Sequence, residues 1–533
     1  MPNTLASLAL GRRVDALFSR YTRPGSPGAV VGIMRKGEIE LCKGYGLASI
    51  ELGVPITPRT RFRIASVSKQ FTVTAALMLA HEGLLKLSDP PHKYLKELAP
   101  LPVTIDQMMR NSSGLPDFLE LLRMGGHGLD KPARPADLFA ACVLNNHLNF
   151  TPGSRFLYSN TNFLLLGRIV EKLAKKKLGD VLAERIFKPL GMDQTMLAAD
   201  IDTVIPNLAT GYLGDAASGF RRAAHAYPQG GEGGLTSTVE DLLIWSKHFD
   251  EPVLGKTLPA QLAAAAPLSG GHDNRYRRGV GVGNLRGLKT VGHGGLWPGF
   301  RTEFLRVPAA DLTVVVIANL GSIDPWRLAH TIAADALSGD KRLKPALGPI
   351  TEAEIKPLAG TWFNAAEPSL FDLAWKNGEA IVTQNGLPFA LGRRAGGWFG
   401  AERGSFEFMI KPGGGGLRVD LGAGRVLAFK KLGKRKAVPA GIAGIFSSPD
   451  TGATWHVRRG GADYTMAVYG PLVTSSEPWT VKGIDGDTVE IVGPGSWIKP
   501  VQLAHLERDK AGKVAALVVS SGRIKNLRFE RTG

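Results

Sequence analysis

Two kinds of periodicity divide the chain. From residue 28 to about 337, β-rich runs alternate with long helical periods. Beyond about 340 the runs are short, alternate apolar with polar residues, end in glycine turns and show almost no helical period. In the first part, residues 28–46 read as a hairpin turned at 36–37, and 300–320 as a second hairpin turned at 308–311. Helices are predicted over 68–83, 163–177 and 239–249, the last with Thr238 as its cap and Asp241 three positions on. Sheet at both ends with helices between predicts one antiparallel sheet built from the two ends and carrying a helical insertion, an α/β (α+β) domain.

The second part repeats itself. Ala359-Gly360-Thr361-Trp362 recurs as Ala443-Gly444-Ile445-Phe446, and the units close alike, with 427–431 and 527–531. Two units of this size and pattern predict two small antiparallel β-barrels. The expected division is therefore 1–340, 341–436 and 437–533. The basic run 430–439 reads as a solvated linker, and the four glycines 413–416 as a loose hairpin turn.

Composition adds limits. The 533 residues are 44% hydrophobic and 21% charged, which excludes a mainly disordered protein. The net charge of +18 permits an anionic partner. No stacking motif with interleaved basic residues and no zinc-finger spacing accompanies it, so no nucleic acid partner is expected. Cys42 and Cys142 are the two cysteines, too few for a disulfide framework or a Cys-rich metal site. His81-Glu82 begins like a zinc motif, but Leu85 stands where the second histidine belongs. The first twenty residues do not read as a secretory signal, and no window holds about eighteen uninterrupted apolar residues. We therefore expect a soluble, cytoplasmic protein with no membrane partner. Trp245 and Trp297 read as core or rim aromatics.

The candidate chemistry begins at Ser66-Val67-Ser68-Lys69. If Ser66 starts the helix, positions i and i+3 share a face and bring the Lys69 amine beside the Ser66 hydroxyl. A serine hydroxyl is a poor nucleophile until a base takes its proton, and a desolvated lysine is such a base. The helix N-terminus adds partial positive charge and a backbone N–H for an oxyanion. Tyr158-Ser159-Asn160 falls on a loop before an apolar helix. His293-Gly294-Gly295 falls between strand-like 288–292 and 300–305, where glycines let a substrate approach an edge strand.

With these three motifs in this order, and with pieces such as Arg61-Phe62-Arg63-Ile64-Ala65, Asn111-Ser112-Ser113-Gly114-Leu115 and 233–238, the chain resembles the penicillin-recognising serine hydrolases. These are the class C β-lactamases, D,D-peptidases and related esterases. His293 stands where that clan usually has Lys-Thr-Gly. Together with the two β units, this resembles the D-stereospecific aminopeptidases, three-domain enzymes whose barrels lean on a β-lactamase-like domain.

The resemblance implies an acyl-enzyme in which Ser66 attacks and Lys69 and Tyr158 share the proton transfers. It implies an oxyanion site at the backbone N–H groups of Ser66 and Leu296. Asn160 would bind the substrate amide or steady Lys69, and His293 would pass or orient a proton near Tyr158. Gly294, Gly295 and Leu296 would line the substrate. The reaction implied is release of an N-terminal D-residue, D-Ala-like, from a small peptide, amide or ester, without metal or organic cofactor. A homodimer is implied through the barrels. Two alternatives are a β-lactamase-like esterase or amidase that ignores the amine, and a non-catalytic penicillin-binding module. In these aminopeptidases a loop of the last barrel is expected to present an acid to the substrate ammonium. The matching stretch 492–497 holds no acid, which leaves Asp485, Asp487 and Glu490 as substitutes.

Overall fold

The computed structural model describes residues 5–403, 406–422, 425–461, 463–473, 477–495 and 499–533. Its first part is built on a six-stranded antiparallel sheet. The strands are β1 (Ala29–Arg35), β2 (Glu38–Tyr45), β3 (Gly281–Leu285), β4 (Leu288–Trp297), β5 (Phe300–Val307) and β6 (Leu312–Ala318), in the spatial order β3-β4-β5-β6-β1-β2. The two ends of this segment meet where β1 pairs with β6, from Ala29 opposite Ala318 to Arg35 opposite Leu312. Both predicted hairpins are present at their predicted turns.

β1 and β6 are buried almost throughout because the sheet is covered on both faces, and successive side chains leave it in opposite directions. Ala29, Val31, Ile33, Val314 and Val316 pack with helices α1 (Leu5–Phe18) and, near the end of the segment, Pro325–Ala336. Val30, Met34, Val315 and Ile317 face the other way, onto the main core. That core holds α2 (Lys69–His81), α3 (Phe118–Met124), α4 (Thr161–Ala174) and α5 (Val239–Lys247). Helix α2 runs through the middle of the core, with ten of its thirteen residues buried. Thr238 caps α5 by accepting from the Asp241 N–H. The Asp241 carboxylate turns instead to Thr195 and Gln194, so the predicted capping box is half present.

The rest of the chain forms two β units. The first is a nine-stranded, nearly closed sheet from Gly360–Asn364 to Val426–Lys431, and the second is a closed eight-stranded barrel from Gly444–Ser448 to Leu527–Arg531. The sequence repeat is a repeat of closure. In the first unit Trp362 pairs with Lys431 and Phe363 with Lys430; in the second Phe446 pairs with Arg531 and Ser447 with Glu530. A hairpin turn stands where one was predicted, but it is tight and not loose: Gly413 pairs with Gly416, and Gly414 and Gly415 make the turn at φ 65° and 74°. The basic linker is not freely solvated: Arg435 pairs with Glu490 at 2.9 Å and Lys436 with Asp485 at 2.6 Å.

Helix α3 belongs to two cores at once. Phe118 and Leu122 pack in the main core, whereas Leu121 and Met124 pack in the barrel with Trp455 and Phe529. Trp455 stacks on Phe529 at 3.8 Å and donates its indole N–H to the Met124 carbonyl at 2.8 Å. None of the described helices is long and apolar enough to cross a membrane.

This junction carries a stability prediction. Trp455→Ala is expected to cost about 3–5 kcal/mol and to lower the thermal unfolding midpoint well below that of Trp455→Phe, which keeps most of the packing. Differential scanning calorimetry of the two variants checks the ordering.

Candidate active site

Ser66 is not the first residue of the long helix. It sits in a short 3-10 turn, Ala65–Ser68, and α2 follows from Lys69. Ala65, just before it, takes φ 48°, a left-handed conformation that strains a residue with a Cβ by about 1–3 kcal/mol. Neighbours on both sides hold the turn in place. The Ile64 N–H donates to Leu235 O at 3.1 Å, and the Leu235 N–H donates to Ser68 Oγ at 3.1 Å. On the other side β4 approaches so closely that a Cβ on Gly295 would lie 2.2 Å from Ile64 O. The glycine of the third motif is thus required by the contact between strand and nucleophile turn.

Three oxygens surround the buried Lys69 amine. Nζ lies 3.0 Å from Ser66 Oγ, 2.9 Å from Asn160 Oδ1 and 2.5 Å from Glu232 O. Burial pushes its pKa down to about 7, with Arg523 adding to the fall while Glu232 and Asp117 oppose it. A neutral amine has two N–H groups and one lone pair. Asn160 Oδ1 and Glu232 O can only accept, so they take the two N–H groups and the lone pair is left for the Ser66 hydroxyl. Burial likewise raises the Glu232 carboxyl above its ordinary range, and its Oε1 accepts the Gly230 N–H at 3.0 Å.

Asn160 was expected either to hold a substrate amide or to steady Lys69. Its side chain is engaged in the second task, with Oδ1 on Lys69 and Nδ2 donating to Asp117 Oδ2 at 2.8 Å. The buried Asp117 carboxylate also accepts the Asn160 N–H at 2.8 Å and caps α3 through the Leu119 N–H at 3.0 Å. Sequence reasoning passed over Asp117, although its position after Pro116 and before an apolar run is a helix-cap signal. The preceding loop is held by Asn111, which accepts the Ser159 N–H at 3.0 Å. The Tyr158 ring lies 5.0 Å from Lys69 Nζ. Its hydroxyl is buried, with no hydrogen-bond partner among the described residues. Burial raises its pKa above that of an ordinary tyrosine, against the neighbouring Ser66 hydroxyl and the Arg523 charge.

His293 is placed otherwise than expected. It lies within the ten-residue strand β4, not between two strands. Its ring centre is 6.1 Å from that of Tyr158, and its Nε2 is 3.0 Å from Tyr276 Oη. Nδ1 is 2.6 Å from the Gly294 carbonyl, which can only accept. Nδ1 therefore carries the proton, and Nε2 accepts from Tyr276. Burial, with Lys69 adding to it, lowers the His293 pKa to about 3, which leaves a neutral imidazole. Tyr276, which the sequence reading missed, stands edge-on to both rings, 5.8 Å from Tyr158 and 5.6 Å from His293. Gly294 and Leu296 lie on the same stretch of β4, which runs past the end of its pairing with β3. Trp245 and Trp297 are buried core aromatics.

None of the expected acids is left to read an ammonium. Asp485 and Glu490 are paired with the linker, and Asp487 with Arg508 at 2.7 Å. In the 492–497 loop, Ser496 and Trp497 lie outside the described residues. The barrel segment that reaches the site is a different one, the turn 521–526 between the last two strands. Ser521 Oγ and the Arg523 N–H donate to Glu120, the Lys525 N–H donates to Asn149 Oδ1 at 2.8 Å, and Asn149 Nδ2 donates to Arg523 O at 3.1 Å. His147 Nε2 lies 2.6 Å from Lys525 O. The Arg523 guanidinium lies 4.9 Å from the Tyr158 ring centre, and its Nη1 donates to Asp117 Oδ2 at 3.2 Å.

A family model described as Beta-lactamase matches residues 14–338. The chain belongs to the beta-lactamase family. It is 30% identical to the D-aminopeptidase of Gluconobacter oxydans (strain 621H) over 331 residues, and spans 62% of that relative's length and 62% of its own. Among solved structures it is similar to the octameric penicillin-binding protein homologue from Pyrococcus abyssi, with a TM-score of 0.55 and 20% identity over 98% of both chains. It is also similar to the D-amino acid amidase from Ochrobactrum anthropi SV3, with a TM-score of 0.53 and 22% identity over 62% of this chain and 99% of that one. The first of these two structures shares the fold of this chain beyond the part that the family model matches, through both C-terminal β units.

The pH dependence of Ser66 follows from Lys69. Covalent labelling of Ser66 by a fluorophosphonate is expected to speed up as pH rises through about 7, where the amine loses its proton. Because His293 is already neutral down to about 3, it adds no second limb between pH 5 and 7. Mass-spectrometric labelling rates across pH 5–9, with Ser66→Ala as blank, check both statements.

Proposed function

We propose that the chain is a serine hydrolase that works through an acyl-enzyme on D-amino-acid amides, esters and short peptides. The observation that carries this reading is the contact of the Lys69 amine with Ser66 while two carbonyl oxygens occupy its N–H groups. Similarity to D-aminopeptidase and to D-amino acid amidase supports the substrate class.

In this reading Lys69 takes the Ser66 proton as Oγ bonds to the scissile carbonyl carbon. The N–H groups of Ser66 and Leu296 hold the oxyanion, each donor being worth about 3 kcal/mol. Tyr158, whose buried hydroxyl neighbours Ser66, relays the proton to the leaving nitrogen as the C–N bond breaks. Water then takes the place of the leaving group and releases the acid, restoring the Ser66 hydroxyl. His293 is a positioning residue that acts through Tyr276. Asn160 holds Lys69, and the substrate lies along the backbone of Gly294, Gly295 and Leu296 on β4.

Aminopeptidase action on an N-terminal D-residue is the narrower form of this reading. The second form is an amidase or esterase that ignores the amine, favoured by the pairing of Asp485, Asp487 and Glu490 with basic partners.

The test compares kcat/KM for D-alanine p-nitroanilide and its N-acetylated form. Ser66→Ala is expected to lower the rate by about 10⁴-fold or more, and Tyr158→Phe by about 10²–10⁴-fold with most of the loss in kcat. Cleavage confined to the free amine selects the aminopeptidase. Equal cleavage of both forms selects the amidase. No Ser66-dependent cleavage or labelling would overturn the hydrolase reading.

A further inference from the structure

The turn 521–526 brings positive charge to a place where an amine-reading enzyme needs negative charge. It is not a passive contact, since Ile524 at its tip is fully buried in the barrel core. The backbone on either side is tied to Glu120, Asn149 and His147 of the catalytic part. A Cβ on Gly522 would lie 2.6 Å from Asn385 of the first β unit, so all three parts of the chain meet around this turn.

Arg523 is held at this junction with hydrogen-bonding capacity to spare. Among the described residues its guanidinium has one hydrogen-bond acceptor, Asp117 Oδ2, reached through Nη1. That carboxylate is itself buried and already accepts two N–H groups of Asn160. Nε and Nη2 have no described protein acceptor, and 39% of the Arg523 side chain remains exposed, over the Tyr158 ring. Around it four cations face three carboxylates: Lys525 lies within electrostatic reach of Glu120, Arg425 and Arg155, the two arginines share Glu367, and Arg523 has Asp117 and Glu120. An ammonium brought to this edge meets like charge, whereas a carboxylate meets a planar, always-charged fork of donors.

We propose that Arg523 is a specificity-determining residue that binds a carboxylate of the substrate, so that the site prefers peptides or amides carrying a negative charge near the scissile bond. This rests on the acyl-enzyme reading above and names its substrate class. The carboxylate has two chemical sources, the free C-terminus of a short leaving group or an acidic side chain on the acyl residue.

Two ratios of kcat/KM separate the sources. D-Ala-Gly over D-Ala-Gly amide reports the leaving group, and D-Glu p-nitroanilide over D-Gln p-nitroanilide reports the acyl residue. In the wild-type protein one ratio is expected to exceed unity by about tenfold to a hundredfold, the range of a hydrogen-bonded charge pair. Arg523→Ala should bring that ratio close to one, Arg523→Glu should invert it, and Arg523→Lys should retain part of it, with the change carried mainly by KM. Fluorophosphonate labelling of Ser66 and a thermal melt check that each variant is folded. Both wild-type ratios near one would overturn the inference whether or not the variants fold, as would a favoured ratio that survives Arg523→Glu. Cleavage with flat ratios leaves the hydrolase reading standing; absence of any Ser66-dependent reaction removes both.

Discussion

A lysine amine buried against a serine hydroxyl is the constraint around which the catalytic part is arranged. Ammonium groups are costly to bury, and the cost falls on the charged form. Lys69 meets it with the Ser66 hydroxyl and two carbonyl acceptors, from three separate places in the chain: the turn holding Ser66, the residue that opens α4, and the backbone at Glu232. Each of these has its own support. Asp117 fixes Asn160, strand β4 and Leu235 clamp the turn, and Gly230 binds the Glu232 carboxyl. The strained φ at Ala65 persists because those neighbours over-determine it.

The closed barrel is part of this arrangement. Asp117 begins α3, whose far face enters the barrel core, and the same carboxylate meets Arg523 from the barrel's last turn. The Tyr158 ring thus has the Lys69 amine 5.0 Å from its centre and the Arg523 guanidinium 4.9 Å from it, one from each end of the protein. Positive charge from the barrel helps keep Lys69 neutral and works against the rise of the Tyr158 pKa. One residue can therefore serve both the electrostatics of the proton transfers and the selection of what is bound.

Much of this was legible in the sequence where the determining contacts are local or repeated. The hairpin turns at 36–37 and 308–311 follow from their flanking β-rich runs, and the similar openings and closings of the two C-terminal units correspond to identical first-to-last strand pairing. Ser66 and Lys69 stand at a spacing that local geometry makes meaningful. Asp117 shows in the sequence only as a helix cap, and Glu232 and Arg523 were out of reach because their partners lie far along the chain; Arg523 and Asp117 are separated by 406 positions. A basic hairpin such as Ser521-Gly522-Arg523-Ile524-Lys525-Asn526 resembles any solvated turn. Its one anomaly is an isoleucine, Ile524, which fixes the turn to the core of its own barrel. His293 does neighbour Tyr158, but the motif order says nothing of Tyr276, seventeen residues before His293 and hydrogen-bonded to its ring.

The claim that burial sets the protonation of Lys69 can be measured without reference to any substrate. Protein labelled with ¹³C at lysine Cε would be titrated by NMR from pH 5 to 11, with Lys69→Arg identifying the resonance. One lysine signal moving with a midpoint near 7, and absent from the variant, is the predicted result. A Lys69 signal that titrates with the surface lysines near 10.5 would contradict the account.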